Sequence, residues 1–340
     1  MRVSKENRTV KYRAYAKVNL ALAVGKPRAD GYHDVYTVMV PVRLCDYVTV
    51  GAGPWDSGQE PRPGSSSSST DGTSRIHLSC PALPELPEHK NLAYIAAAAF
   101  LTKTGVRSDV HITVDKRIPW GSGMGGGSSD AAAVLLALNG LLPPERALDI
   151  DDLVSLATSI GADVPFFVGC NAVPPLWKGA QCEGIGEKVT PVDVPDMWLV
   201  LAFPEVPVDT GKAYARLDDL RSSKGLEATE DSSFGDRTEG LDAALAAGDV
   251  EEIGRRLFND LEEAAVSFCP EIGRLKRMFY ECGALGAAMT GSGSAVFGIA
   301  GSEREALDLA SILDRMIRSV SEIRVREIIV ARTGVDRNGC

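Results

Sequence analysis

The chain has 340 residues, enough for two domains or one large one. Its apolar content of 44% and charged content of 24% are ordinary for a globular enzyme. A net charge of −10 argues against a broad nucleic-acid surface, so an anionic substrate needs a local basic pocket, with Lys17, Lys26, Arg28, Lys116 and Arg117 as its candidates.

Residues 1–13 are charged and lack an apolar core, so no signal peptide is expected. Residues 14–24 read as a strand of small side chains, 25–31 as a turn carrying Pro27 and Asp30, and 35–50 as one or two further strands. Residues 51–74 change character, with glycine, proline and five consecutive serines at 65–69, and read as a disordered surface insertion. A strand at 76–79 and a helix with an apolar face at 90–104 follow. The apolar run at 92–101 is too short to span a bilayer. Residues 110–118 alternate as a strand, and 131–138 form an apolar helix. A helix at 151–160, with Asp151 or Asp152 near its start, ends at Gly161, and 172–194 read as short strands joined by Gly184 and Gly186.

A second half begins near Asp196, with a strand at 198–203, a helix at 210–220 and a polar, loose segment at 221–238. Helices are expected at 241–247, 250–265 and 271–282, then a glycine–serine turn into a strand at 287–298, a helix at 303–317 and a closing strand at 325–330. That order suggests an α+β sandwich of the ferredoxin-like kind. The expected division is 1–195, 196–333 and a tail at 334–340.

Seven cysteines without any C-x-x-C spacing give little support for a zinc site or a disulfide framework, and reduced thiols in a cytoplasmic protein are expected instead. His77, His89 and His111 have no ligand spacing and read as ordinary.

The most informative stretch is 119–133, Pro-Trp-Gly-Ser-Gly-Met-Gly-Gly-Gly-Ser-Ser-Asp-Ala-Ala-Ala. A strand feeds a loop with five glycines and three serines, and the loop opens a helix. Glycines let backbone N–H groups approach an anion, and a helix start adds unpaired N–H groups and the positive end of its dipole. The pattern reads as a phosphate cradle. Gly121, Gly123 and Gly126 match G-x-G-x-x-G, but no acidic residue follows a second strand, so a dinucleotide site is disfavoured. No lysine follows as a P-loop requires.

Three segments together resemble the GHMP kinase superfamily: Ala14-Tyr-Ala-Lys-Val-Asn-Leu-Ala-Leu22, the 119–133 loop, and Met289-Thr-Gly-Ser-Gly-Ser-Ala295. Within it, Ala16-Lys-Val-Asn19, Arg28-Ala-Asp-Gly-Tyr-His-Asp34, Gly125-Gly-Gly-Ser-Ser-Asp130 and Gly161-Ala-Asp-Val-Pro-Phe166 are most similar to the branch acting on 4-diphosphocytidyl-2-C-methyl-D-erythritol. Met124 stands where leucine is usual, Ser122 adds a hydroxyl, and the 51–74 insertion is unusual. The resemblance implies an α+β fold of two domains, an S5-like α/β domain followed by a ferredoxin-like one. It implies a cytoplasmic kinase using ATP and Mg²⁺ on a small-molecule alcohol in the non-mevalonate isoprenoid route, with no nucleic-acid, membrane or obligate protein partner. The 2-hydroxyl of the methylerythritol unit is the expected acceptor. Another superfamily kinase and a non-catalytic regulator on the same fold are the rivals.

By that resemblance Asp163 is the catalytic base and Lys17 its partner, against a capping aspartate and an edge-strand lysine as the bland alternatives. Asn19 shares the strand face of Lys17 and is expected to bind substrate. Tyr32 can stack on a pyrimidine and His33 can read its edge. Gly123, Gly125, Gly126, Gly127, Ser128 and Ser129 are expected around the ATP phosphates, flanked by Pro119, Gly121 and Met124. Ser128 or Ser129 is expected at the metal, and Asp130 as a first-turn acid that stabilises the helix. Lys116 and Asn91 are expected near the nucleoside, and Thr290, Gly291, Ser292 and Gly293 as a second loop near phosphates or substrate.

Overall fold

A computed structural model describes residues 8–54, 68–70, 74–172, 175–225 and 234–336. The chain opens with two long strands, β1 (Arg8–Pro27) and β2 (His33–Pro54), then β3 (Ser68–Thr70) and β4 (Ser74–Ser79). Helix α1 (Leu92–Thr104), strand β5 (Ser108–Asp115) and helices α2 (Gly126–Leu141), α3 (Ile150–Thr158) and α4 (Val164–Asn171) follow. The hairpin β6 (Gly179–Glu183) and β7 (Lys188–Val192) leads to β8 (Trp198–Pro204) and α5 (Thr210–Ser223). Next come α6 (Gly235–Ala247), α7 (Val250–Arg255), the short β9 (Phe258–Asn259), α8 (Glu262–Val266) and α9 (Glu271–Glu281). The chain closes with β10 (Gly286–Met289), β11 (Val296–Ala300), α10 (Glu303–Ser319) and β12 (Val325–Arg332).

The first sheet runs β3-β4-β5-β2-β1-β9, with β6 and β7 attached to β2. The second runs β10-β11-β8-β12 and is antiparallel. With helices between its first and second and its third and fourth strands, the second sheet has the ferredoxin-like arrangement. The apolar faces of α1, α2 and α4 cover one side of the first sheet, where Phe100, Ile112, Leu135, Phe166 and Phe167 are buried. Val18, Leu20, Val38, Leu201 and Phe297 form a core between the two sheets. Phe279, Leu275 and Leu313 bury α9 and α10 against the second sheet.

Several boundaries differ from expectation. Residues 25–27 continue β1, and 35–50 lie in one strand, because β1 and β2 pair along almost their whole length. The ends of the 51–74 segment are ordered: residues 51–54 pair with β5, and Ser68–Thr70 with β4. Residues 55–67 and 71–73 lie outside the described residues. Helix α3 starts one residue earlier than expected, capped by Asp149, and both Asp151 and Asp152 lie in its first turn as expected. The expected helix at 250–265 is broken, because Phe258–Asn259 leaves the helical path to pair in parallel with Ala21 and Leu22. The loose segment at 221–238 begins inside α5 and ends inside α6, and 226–233 lie outside the described residues.

Candidate active site

Strand β1 is buried on both faces, and its alternation decides what each face carries. Ala16 and Val18 enter the core between the sheets, so Lys17 and Asn19 share the opposite face, where both line a cleft of about 680 Å³. The register shifts between Asn19 and Ala21, where Asn19 pairs with Met39 and Ala21 with Val38, leaving Leu20 as a bulge. After the bulge Leu22 becomes the cleft residue.

Lys17 is 3% exposed, and its Nζ donates to Asn19 Oδ1 at 2.6 Å. Burial lowers its pKa, while the charge of Asp163 opposes that shift. Asn19 Oδ1 also accepts from the Thr290 hydroxyl at 3.1 Å and the Gly291 N–H at 2.7 Å, and its Nδ2 donates to Thr37 Oγ1 at 2.7 Å. Both polar atoms of the Asn19 side chain are therefore bonded within the protein. Asn19 acts as a tie between β1, β2 and the 290–293 loop.

Asp163 occupies the N-cap position of α4, a helix that the sequence reading placed no element on. Pro165 at the helix start fixes φ where no intrahelical N–H is needed. The Asp163 side chain makes no capping bond and lines the same cleft as Lys17. A capping aspartate would have spent its carboxylate on the backbone.

The glycine loop follows β5 and ends at α2, whose N-cap is Gly125 with φ +71. The Lys17 N–H donates to Met124 O at 3.0 Å, and the Ala295 N–H donates to Ser122 O at 3.1 Å. The loop is thereby fastened to β1 and to the 290–293 loop. A Cβ at Gly123, φ +76, would lie 2.3 Å from Thr290 O, and one at Gly291 would lie 2.5 Å from Gly123 O. One at Gly125 would lie 2.7 Å from the Phe167 ring. Glycine at these positions is required by protein packed against protein, a reason that the anion-cradle argument did not contain.

Gly121, Gly123, Gly125 and Ser128 face the cleft, as do Gly291, Ser292 and Gly293. Ser129 does not: it is fully buried, and its Oγ accepts from Asn171 Nδ2 at 3.0 Å. Of the two serines, Ser128 alone faces the cleft. Thr290 is buried beneath the loop on Asn19, and Met124 is buried in the core between the sheets. Pro119, Gly126 and Gly127 lie off the cleft wall at either end of the loop, the latter two in the first turn of α2. Asn91 caps α1, its Oδ1 accepting from the Ala93 N–H at 3.0 Å.

The basic pocket expected from the sequence is reduced to one lysine. Among the described residues, Lys17 is the only Lys or Arg on the cleft wall. Arg28 pairs with Asp30 and Asp34 on the surface, and Arg117 lies over the Tyr47 ring. Lys116 is held between two buried carboxylates, Asp46 and Asp130, the latter at 2.8 Å. Burial works against the Lys116 ammonium, but the charges of Asp130 and Asp46 outweigh it and raise its pKa. Burial pushes the Asp130 carboxyl up to about 7, with Lys116 pulling it down and Asp46 pushing it further up. Asp130 is thus a buried partner of Lys116 rather than a first-turn acid, since it lies past the first turn of α2.

The opposite end of the cleft is aromatic. Tyr32 is 59% exposed at its mouth. His33 lies 5.0 Å from the Tyr214 ring, centroid to centroid, and its Nε2 sits 3.0 Å from Asp218 Oδ1. Burial first, and the charge of Asp163 second, push the Tyr214 phenol up to about 12, so it stays neutral. Tyr214, Asp218 and Thr37 were missed from sequence. Tyr214 and Asp218 are four residues apart in α5, and that shared helix face was the available signal. Thr37 had none, since its partner Asn19 lies on the neighbouring strand.

Two glycine loops locked together over a Lys/Asp cleft, on a ferredoxin-like second sheet, are matched by known families. The GHMP kinases N terminal domain model matches residues 91–170, and the GHMP kinases C terminal model matches 242–318. Homoserine kinase from Cytophaga hutchinsonii shares the fold at a TM-score of 0.71 with 18% identity, over 98% of this chain and 97% of that one. The fold is therefore the α+β GHMP kinase fold.

A 4-diphosphocytidyl-2-C-methyl-D-erythritol kinase from Symbiobacterium thermophilum is 39% identical over 296 residues, 86% of this chain and 90% of that protein. One from Caldicellulosiruptor bescii is 37% identical over 92% of this chain and 96% of its own length. A crystal structure of a 4-(cytidine 5'-diphospho)-2C-methyl-D-erythritol kinase superposes with a TM-score of 0.68 at 33% identity, over 96% of this chain and 99% of that one. The chain belongs to the 4-diphosphocytidyl-2-C-methyl-D-erythritol kinase family. Among the described residues, no helix is long and apolar enough to cross a membrane.

Proposed function

We propose that the chain transfers the γ-phosphoryl group of ATP to the 2-hydroxyl of 4-diphosphocytidyl-2-C-methyl-D-erythritol, in the non-mevalonate isoprenoid route. The carrying observation is that Lys17 and Asp163 share one cleft, with the glycine loop and the N-terminus of α2 on one wall and Tyr32, His33 and Tyr214 on another. The names of the relatives supply the substrate.

Asp163 accepts the proton of the attacking hydroxyl or orients it, the division depending on how late the proton leaves in a loose transition state. Lys17 has three N–H donors and spends one on Asn19, so two remain for phosphate or hydroxyl oxygen. The backbone N–H groups at the start of α2 meet the phosphates along the helix dipole. One lysine cannot balance a triphosphate, so the residues present fit a divalent cation, with the Ser128 hydroxyl as the protein group that would hold Mg²⁺. When bound, that ion neutralises phosphate oxygens.

The cytosine is read at the aromatic end. The Asp218 carboxylate takes the Nε2–H of His33, which leaves Nδ1 for the base edge, while Tyr32 and Tyr214 offer faces for stacking.

The test is an ADP-release assay on the diphosphocytidyl substrate. Asp163→Asn is expected to cut kcat by about 10²–10⁴ with the fold intact. Tyr32→Ala is expected to raise KM for the cytidyl substrate and leave KM for ATP unchanged. Full turnover by Asp163→Asn, or equal movement of both KM values, would overturn the respective assignment.

A further inference from the structure

On the outer face of the first sheet, away from the cleft lining, the fold assembles three side chains that no local spacing connects. Strand β4 runs parallel to β5 and sets His77 directly beside His111. Asp109 lies two residues before His111 and so shares its face. We propose that His77, Asp109 and His111 form a binding site for a divalent transition-metal ion of the Zn²⁺ class.

The geometry fits such an ion. His77 Nε2 lies 3.1 Å from Asp109 Oδ1, and His111 Nε2 lies 3.6 Å from the same atom. One donor atom from each of the three residues falls within 4.8 Å of the others. Ligand atoms about 2.1 Å from a tetrahedral zinc are separated by roughly 3.4 Å, between the two distances found. The imidazole rings are stacked, 4.5 Å apart and inclined by 9°, so coordination of one ion by both requires one ring to turn about its side-chain torsions, which the exposed His111 is free to do. Two imidazoles and a carboxylate are the donor set that zinc, cobalt and nickel take, and magnesium avoids.

A second observation points to a ligand. Asp109 Oδ1 is closed off from solvent and has no aligned hydrogen-bond donor, although two ring nitrogens stand at ion-pair distance. A shielded carboxylate oxygen facing two nitrogens calls for a cation between them. Strand β2 places Gly51 and Gly53 beside His111 and Asp109, so no side chain crowds the site from that side. Arg75, paired with Asp109 across the strands, is the other charged group in register here. His111 is 64% exposed, which leaves an entry path and room for water to complete the coordination. The bound ion would cross-link β4 to β5.

The test uses the full chain stripped with chelator and then titrated with Zn²⁺ by calorimetry, with Co²⁺ as spectroscopic reporter. One zinc per chain is expected, with a Co²⁺ spectrum free of thiolate charge-transfer bands and a raised thermal midpoint for the loaded protein. Asp109→Asn should weaken binding at least about tenfold, and His77→Ala with His111→Ala should abolish it and the thermal shift together. His111→Ala alone, at an exposed position, guards against misfolding of the double variant and should also lose the site. Zinc binding of unchanged stoichiometry and affinity in the double variant, or none by the unaltered chain, would overturn the proposal. The result is independent of phosphotransfer activity.

Discussion

Lys17 is a buried ammonium whose usefulness depends on one neighbour. Burial disfavours its charged form, and the Asp163 carboxylate restores part of what burial removes. Its folded pKa lies below the ordinary 10.5, so the folded chain gives up this proton more readily than the unfolded chain. The penalty on stability is therefore present below the folded pKa and relieved as pH rises toward 10.5. On the proposed role of Lys17, activity runs the other way, because the ammonium would be the working form. The alkaline limb of the kcat–pH profile is expected below the normal lysine range, and Lys17→Arg is expected to lose that limb while turning over more slowly. A limb that persisted unchanged in the arginine variant would assign it to another group.

At the scale of the elements, the two glycine loops set each other's shape. Gly123 combines a left-handed φ of +76 with a backbone oxygen 2.3 Å from where a methyl would stand. Gly127, in the first turn of α2, has only Leu92 Cδ1 nearby, at 3.7 Å. Gly123→Ala should lower stability by about 1–3 kcal/mol from strain alone, plus the collision, and Gly127→Ala should stay within about 1 kcal/mol of the parent. Thermal unfolding of the pair is the check, and equal midpoints would remove the interlock. The contrast also shows what sequence could and could not reveal. The loop's position between strand and helix was legible, because glycine, serine and alanine runs are local signals. The reason for Gly123 was not, because Thr290 and Gly293 reach it from the far half of the chain. Helix α4 was signalled by Pro165 and passed over, whereas the break at Phe258–Asn259 is imposed by β1 and has no mark in its own segment. The roles of Lys17 and Asp163 were read through family resemblance. Strand alternation by itself placed only Lys17 and Asn19 together.

For the whole molecule, the connection between the two sheets is polar as well as apolar. Asn259, in a strand added to the first sheet by the second half of the chain, donates to Met289 O and Gly291 O at 2.8 Å each. Asn19 reaches the same loop from β1. Asn259→Ala strips both carbonyls of a buried donor and should cost about 1–3 kcal/mol, with a fall in kcat because the loop borders the cleft. Since one core fills the space between the sheets, calorimetry should find a single transition that moves down in the variant. Two separate transitions in the unaltered protein would contradict this coupling.

Leu20, the bulged residue of β1, sits where the two sides of the strand change places in the numbering. It works as a phase slip: odd-numbered side chains look into the cleft before it, and even-numbered ones after it. Loss of that one residue would join Asn19 directly to Ala21, already opposite consecutive residues of β2, and so would keep Lys17, Asn19 and Leu22 all on the cleft wall, whereas loss of the regularly paired Val18 would turn the side chains on one side of it to the other face. The bulge thus takes up one residue of length, so a one-codon deletion there is expected to spare the cleft lining, while the same deletion one or two positions earlier would scramble it.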